Sequence, residues 1–261
     1  DDITYFVGNH KITAGLTYEY QMADNAYMRN GTGYYRYASL EDFLNQAAPE
    51  TVCLTYGYMK DGKFEENPAA RVRYHQIGAY AQDEWTPVEN FKLTYGLRLD
   101  ALAFDNQDLM TNNAILAVDY NGKNIDTGKW PTTKLRVAPR VGFTWDVLGD
   151  KSLKVRGGTG VFSGRLPLVF FTNMPTNSGM VQYQAKLGET QTIIPGYTGA
   201  FIEKGGKNYY DMSEFAGGLL KREELLNKLT SLGFPNTISP EDGTVPSEIS
   251  AVDPKFKMPQ V

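Results

Sequence analysis

Apolar and polar residues alternate with a period of two through several unusually long runs of the chain. In residues 11–20, KITAGLTYEY, one side carries Ile12, Ala14, Leu16, Tyr18 and Tyr20, and the other Lys11, Thr13, Gly15, Thr17 and Glu19. Residues 91–103 set Phe91, Leu93, Tyr95, Leu97 and Leu99 against Lys92, Thr94, Gly96, Arg98 and Asp100. Residues 135–147 set Val141, Phe143 and Trp145 against Arg140, Gly142, Thr144 and Asp146, and residues 151–163 set Leu153, Val155 and Val161 against Lys154, Arg156 and Gly160. Residues 71–85 follow the same period less cleanly. This is the rhythm of extended strands with one apolar face. It predicts strands near residues 2–7, 10–22, 71–85, 91–104, 135–147 and 151–163. Several are about twice the usual five or six residues.

The connections alternate between short and long. Residues 86–90 and 148–150 read as tight turns, whereas 23–70, 105–134 and 164–257 are long segments. Tight turns at one end and long loops at the other are the mark of a transmembrane β-barrel. A soluble sandwich has shorter strands, with turn signals about every 8–12 residues. The predicted fold class is therefore all-β, an antiparallel meander from a transmembrane β-barrel whose long outer loops carry short helices. Within those loops, Asn121-Gly122 is a preferred type I′ hairpin pair and predicts a hairpin of 117–120 with 123–125. Ser39 followed by Asp42 resembles a capping box for a short helix through Ala47. Leucines near helical spacing over 219–232, closed by Gly233 and Pro235, predict another helix. Pro240, Pro246, Pro254 and Pro259 predict an extended tail.

Charge narrows the function classes. With 26 Lys+Arg against 30 Asp+Glu, the net charge of −4 excludes the basic footprint of a nucleic-acid binder. The single cysteine, Cys53, rules out an intrachain disulfide framework and a multi-thiolate zinc site. His10 and His75 are too far apart in sequence for a ligand motif and read as surface or lumen residues on strands. No stretch approaches the roughly 18 apolar residues of a spanning helix. The chain opens on Asp1-Asp2, without an initiator methionine or leader, and reads as a mature product or an excised fragment. Seventeen tyrosines and 26 glycines suit sheets at a wet–apolar boundary. Composition alone leaves a sugar-binding sandwich and an outer-membrane barrel both open.

No motif points to catalysis. Gly157-Gly158-Thr159-Gly160 matches neither a dinucleotide fingerprint nor a phosphate loop, and reads as glycine relieving crowding along a curved strand. No spacing selects a carboxylate pair for hydrolysis. The expectation is a non-enzyme without metal or cofactor. Arg98, Asp100, Arg140, Asp146 and Arg156 oppose an apolar face over long strands, as either a solvated sheet face or a barrel lumen would arrange them. Two tyrosine clusters in the long segments, Tyr34, Tyr35 and Tyr37 in one and Tyr197, Tyr209 and Tyr210 in another, are candidate ligand contacts, because tyrosine joins a rigid apolar face to a hydroxyl. The alternative for them is loop packing or an outer aromatic girdle.

GAYAQDEWTPVENFKLTYGLRLD (residues 78–100) resembles a hairpin of the TonB-dependent outer-membrane receptors. APRVGFTWDV (138–147) and SLKVRGGTGVFSGRLPLVFFTN (152–173) resemble the following hairpin. GNHKITAGLTYEY (8–20) and AVDPKFKMPQV (251–261) fit the same pattern, and the likeness is greatest to the Oar-like receptors of Bacteroidetes. The resemblance covers the strands, about a third of the chain. It implies a bacterial outer-membrane location and energised import of a large nutrient, such as a siderophore, glycan or peptide. The TonB system would act through a plug that this chain lacks, and a surface lipoprotein would be an optional partner. It also implies a barrel of about 22 strands, so the chain is an incomplete barrel. Its open edges and apolar face would be met by the rest of an assembly, a second copy, or loops folded back over that face. The alternative function is a secreted or surface β-domain that binds glycans through exposed aromatics, without transport.

Overall fold

The computed structural model describes residues 1–261 apart from 166, 247 and 258. In chain order its strands are β1 (Asp2–Val7), β2 (His10–Asn25), β3 (Tyr34–Arg36), β4 (Thr51–Gly57), β5 (Met59–Lys60), β6 (Lys63–Phe64), β7 (Ala70–Val88), β8 (Phe91–Asp105), β9 (Arg136–Asp146), β10 (Lys154–Gly160), β11 (Gln182–Gly188), β12 (Phe201–Lys204) and β13 (Lys207–Tyr210). The helices are α1 (Leu40–Leu44), α2 (Asn113–Leu116), α3 (Leu168–Thr176) and α4 (Arg222–Ser231).

The long strands form one antiparallel six-stranded sheet in the order β1-β2-β7-β8-β9-β10. All six predicted strands are present. β2 and β7 extend beyond their expected bounds, because their ladder runs unbroken from His10↔Trp85 to Asn25↔Ala70. β10 is shorter than expected and ends at Gly160. Cross-strand partners share a face, so the register sorts the side chains. One row runs Ala14, Ala81, Leu97 and Pro139, and the next Leu16, Ala79, Leu99 and Val137. Between them on the other face lies the row Gly15, Tyr80, Arg98 and Ala138. A one-residue slip would exchange these sets. The predicted alternation thus holds across four strands.

The sheet does not close, and the apolar face stays uncovered: Leu16 is 67% exposed and Leu97 44%. Among the described residues the long loops do not fold over that face, contrary to one of the expectations above. The short turns at Gly8-Asn9, Glu89-Asn90 and 147–153 share one end of the sheet, where the Thr86 amide donates to the Asn9 carbonyl and the Asp146 amide to the Asn90 carbonyl, each at 2.8 Å. The long segments leave from the opposite end and pack on one another as a cap.

Two hydrophobic clusters hold the cap. In the first, the small sheet β11-β4-β3 puts Val52, Leu54 and Tyr56 against Leu225 and Leu229 of α4. In the second, Phe171 and Met174 of α3, with Trp130, cover Val72, Tyr74 and Leu102. These last three belong to the otherwise polar face of the large sheet. That face becomes apolar at its long-loop end, and α3 lies over it.

The cap differs from expectation in detail. The Asn121-Gly122 turn forms, with φ of +58° and +80°, but its flanks build no ladder. The Ser39 hydroxyl accepts from the Asp42 amide at 3.0 Å, yet α1 ends at Leu44 because Gln46 turns left-handed at φ +54°. The 219–232 helix is shorter, starting after Lys221, whose amide donates to the Glu224 carboxylate at 3.0 Å. β4, α3 and β11 to β13 lie in segments expected to be loop.

The tail returns to the sheet. Phe162 and Val261 exchange both backbone hydrogen bonds, at 2.9 and 3.0 Å, and Ser163 bridges Gln260 in antiparallel fashion. The neighbouring Val161 amide donates the other way, to the Pro139 carbonyl of β9, at 2.8 Å. Successive amides point to opposite sides, so the tail adds to the strand line of β10 on the side away from β9.

Candidate functional site

The polar face of the large sheet holds a charge network centred on Arg98 and Asp100. The Arg98 guanidinium also donates from Nη2 to the Thr17 hydroxyl at 3.0 Å, linking β8 to β2 across β7. Room for it comes from Gly78 on the strand between, where a Cβ would lie 2.5 Å from Arg98 Nη2 and 2.8 Å from Asp100 Oδ1. Nearer the short turns, Lys11 and Lys92 each reach a Glu84 oxygen at 3.1 Å. Register sets Arg140, Asp146 and Arg156 on this same face. Arg140 and Arg156 are exposed and stand apart from the Arg98–Asp100 pair. Asp146 turns to its own loop, accepting from the Gly149 amide at 3.2 Å and the Lys151 amide at 2.9 Å.

Most of the candidate tyrosines pack the cap. Tyr210 is 1% exposed, and its hydroxyl accepts from the Ile194 amide at 3.0 Å. Tyr197 stands edge-on to it with ring centroids 4.9 Å apart, and burial followed by the nearby Glu214 pushes its hydroxyl up to about 12. Tyr35 accepts from the Leu220 amide at 3.3 Å, and Tyr37 sets its ring edge against Phe43. Tyr34 is exposed, and Tyr209 is half-buried in the β12–β13 hairpin. The two groups therefore do not converge on a common pocket.

A cleft of about 470 Å³ opens where the cap meets the top of β7, walled by residues from 58–71, 107–110, Thr127, 175–181 and 237–238. Its charged wall carries Lys60, Glu65, Arg71 and Asp108. Lys60 Nζ is 3.8 Å from Glu65, and the Arg71 guanidinium is 3.8 Å from both Asp24 and Asp108. These separations exceed hydrogen-bond length, so both cations keep donors unspent. Asp108 is held by Arg73 at 2.8 Å. The apolar wall includes Met59, Met110, Met180, Leu109 and Ile238. Tyr58 is buried behind it, its hydroxyl donating to the Gly179 carbonyl at 2.9 Å, and burial raises that hydroxyl's pKa. Sequence reasoning missed these residues, which are scattered over five segments with no shared period. The one trace was the irregular start of the 71–85 strand, where Arg71 and Arg73 flank Val72.

The opposite, apolar face ends in aromatic residues at both borders. Trp85, Tyr95, Phe143 and Trp145 lie toward the short turns, and Tyr18 and Tyr20 toward the long loops. Both histidines join these borders rather than the polar face: His10 stacks on Trp85 with centroids 5.7 Å apart, and His75 Nδ1 lies 2.8 Å from the Tyr18 hydroxyl. From residue 10 to residue 20 the strand spans about 34 Å, or about 25 Å along the normal of a sheet tilted near 40°. That matches the apolar height of an outer-membrane wall. A family model described as an outer membrane beta barrel domain matches residues 1–261. The chain belongs to this family. As a member of it the protein resides in the bacterial outer membrane, and the face bearing Leu16 and Leu97 lies against lipid. No curated protein and no solved structure matches the chain.

Proposed function

We propose that this outer-membrane barrel domain is part of a TonB-dependent, Oar-like receptor that binds a large nutrient at its outer surface and imports it with energy from TonB. One observation carries the reading. Six strands side by side, four of them 11–19 residues long, form an antiparallel sheet that does not close, and it is topped by a folded cap with its own hydrophobic clusters. Unpaired strand edges within hydrocarbon would leave backbone groups unsatisfied at several kcal/mol each, so further strands would complete a wide barrel. A wide barrel with a substantial cap suits capture and passage of a bulky ligand. In this reading the short turns face the periplasm and the cap faces the medium. The polar face lines the lumen, where Arg98, Arg140 and Arg156 meet the plug or hydrated ligand. The chain itself performs no covalent chemistry. A secreted glycan-binding sandwich would need a second sheet over Leu93, Tyr95, Leu97 and Leu99, and among the described residues none covers them.

The test is cross-linking in cells that make the complete receptor. A cross-linked complex with TonB is expected. Failure to obtain one, where another receptor of the same cell gives it, overturns the transport reading.

A further inference from the structure

We infer that the cleft between the cap and the top of β7 binds a short zwitterionic peptide, holding its two charged ends on the Lys60–Glu65–Arg71–Asp108 wall and its side chains on the methionine wall. The inference deepens the uptake reading by naming a ligand class, and it rests on that reading only for the fate of the bound peptide. At about 470 Å³ the cleft falls within the roughly 300–1,000 Å³ of sites that take small organic ligands.

Its chemistry selects among the ligand classes that such a receptor could import. The charged lining residues are two cations and two anions. A polyanionic metal chelate would gain from Lys60 and Arg71 but would be repelled by Glu65 and Asp108. A molecule with one carboxylate and one ammonium meets both signs favourably. Arg71 is the natural carboxylate partner, since its planar fork matches two oxygens and its neighbours stand at 3.8 Å rather than in hydrogen bonds. Glu65, 3.8 Å from Lys60, is the carboxylate freest to receive an ammonium, because Asp108 is already held by Arg73. A sugar would call for a flat, accessible aromatic platform. Tyr58 is the one aromatic among the described lining residues, and it is 7% exposed with its hydroxyl committed. Three methionines instead give a polarizable, adaptable surface suited to apolar side chains of varied shape.

The experiment is calorimetric titration of the complete receptor in detergent micelles with trileucine. Trileucine amide, N-acetyl-trileucine, maltotriose and citrate serve as comparisons. Trileucine is expected to bind, and blocking either end is expected to weaken binding about tenfold, the size of one charge-assisted contact. This comparison uses the unaltered chain, so it stands even if a variant misfolds. In Arg71→Gln the free and amidated peptides should bind equally weakly, while the penalty for N-acetylation persists; Glu65→Gln should show the converse. No binding of trileucine, indifference to both blocking groups, or preference for maltotriose or citrate overturns the assignment. Binding without TonB-dependent accumulation of trileucine in cells would leave this site standing and remove the transport reading. Accumulation unaffected by Arg71→Gln would do the reverse.

Discussion

Arg98 grips Asp100, two residues along the same strand, with Nε 3.0 and 2.9 Å from the two carboxylate oxygens and Nη2 2.8 Å from one of them. Asp100 is 5% exposed, so the pair is fixed within the wall rather than tethered at its surface. Replacing Asp100 with alanine would leave the guanidinium partly buried without its partner, a loss on the order of 2–3 kcal/mol. Gly78→Val should destabilise the same spot by crowding, by about 1–3 kcal/mol. Both effects would be read as earlier loss of the compact, heat-modifiable band of the complete receptor. Arg156→Ala, at an exposed site on the same face, should leave that band unchanged.

The two faces predict opposite tolerance of charge. Leu97 lies on the lipid side, so Leu97→Arg should cost about 2–4 kcal/mol near mid-membrane, whereas Thr94→Arg on the polar side should cost little. The measurement is the amount of each variant assembled in the outer membrane. Equal amounts would mean that the faces are inverted.

Asn112 should anchor the cap. It is fully buried, donates from Nδ2 to the Ser178 and Thr244 carbonyls at 2.9 and 3.0 Å, and accepts at Oδ1 from the Ala114 and Ile115 amides at 3.0 and 3.2 Å. One side chain thus ties three segments far apart in sequence. Asn112→Ala should destabilise the cap by about 2–4 kcal/mol, several hydrogen bonds at about 1 kcal/mol each plus unsatisfied buried groups. Protease nicking within 235–250 should accelerate while the strands stay protected.

Alkali should loosen the cap before the barrel wall. Burial, with Tyr210 alongside, pushes the Tyr183 hydroxyl up from 10.0 to about 12. Tyr197 is pushed to about 12 by burial and then by Glu214. A raised value stabilises the neutral, folded form fully below pH 10 and ceases to do so as pH climbs toward 12. Tyrosinate absorbance should therefore lag for these rings and then rise together with loss of cap structure over pH 10–12. Tyr183→Phe should reduce that pH dependence.

The proposed topology places Asn121 and Gly205 outside the cell and Asp150 in the periplasm. A cysteine introduced at either of the first two should react with an impermeant maleimide on intact cells. One at Asp150 should react only after the outer membrane is opened. Labelling of Asp150 on intact cells would invert the barrel.

The wall of the molecule was legible because lipid imposes a period of two on every strand that crosses it, as Leu93, Tyr95, Leu97 and Leu99 show. The rule lapses where its cause does: toward the long loops the otherwise polar face is covered too, and Val72, Tyr74 and Leu102 meet α3 and Trp130 instead of water. In the cap, β4 is buried along its whole length and pairs with β11, more than a hundred residues away, so neither local alternation nor a nearby turn announced it. Helix α3 was hidden by Pro175 and by side chains apolar on both sides: Phe171 faces the sheet and Phe170 is exposed. For Tyr210 composition suggested contact with a ligand, but its ring meets Tyr197 and Phe234. The cleft could not be read because Lys60, Arg71, Asp108 and Met180 meet only through the cap's tertiary packing.

The pairing of Phe162 with Val261 brings the two stems of the longest cap segment side by side, about 4.8 Å apart as neighbouring strands are. Everything between them is thus an insertion hung from adjacent points on the wall. Its outermost parts can lengthen or shorten without shifting the strand register below, provided that α3 still covers Val72, Tyr74 and Leu102. Descendants of this protein could diversify part of their outer surface while the membrane scaffold stays constant, but a graft of residues 164–259 alone should not carry the peptide specificity, because Lys60, Glu65, Arg71 and Asp108 stay behind on other segments.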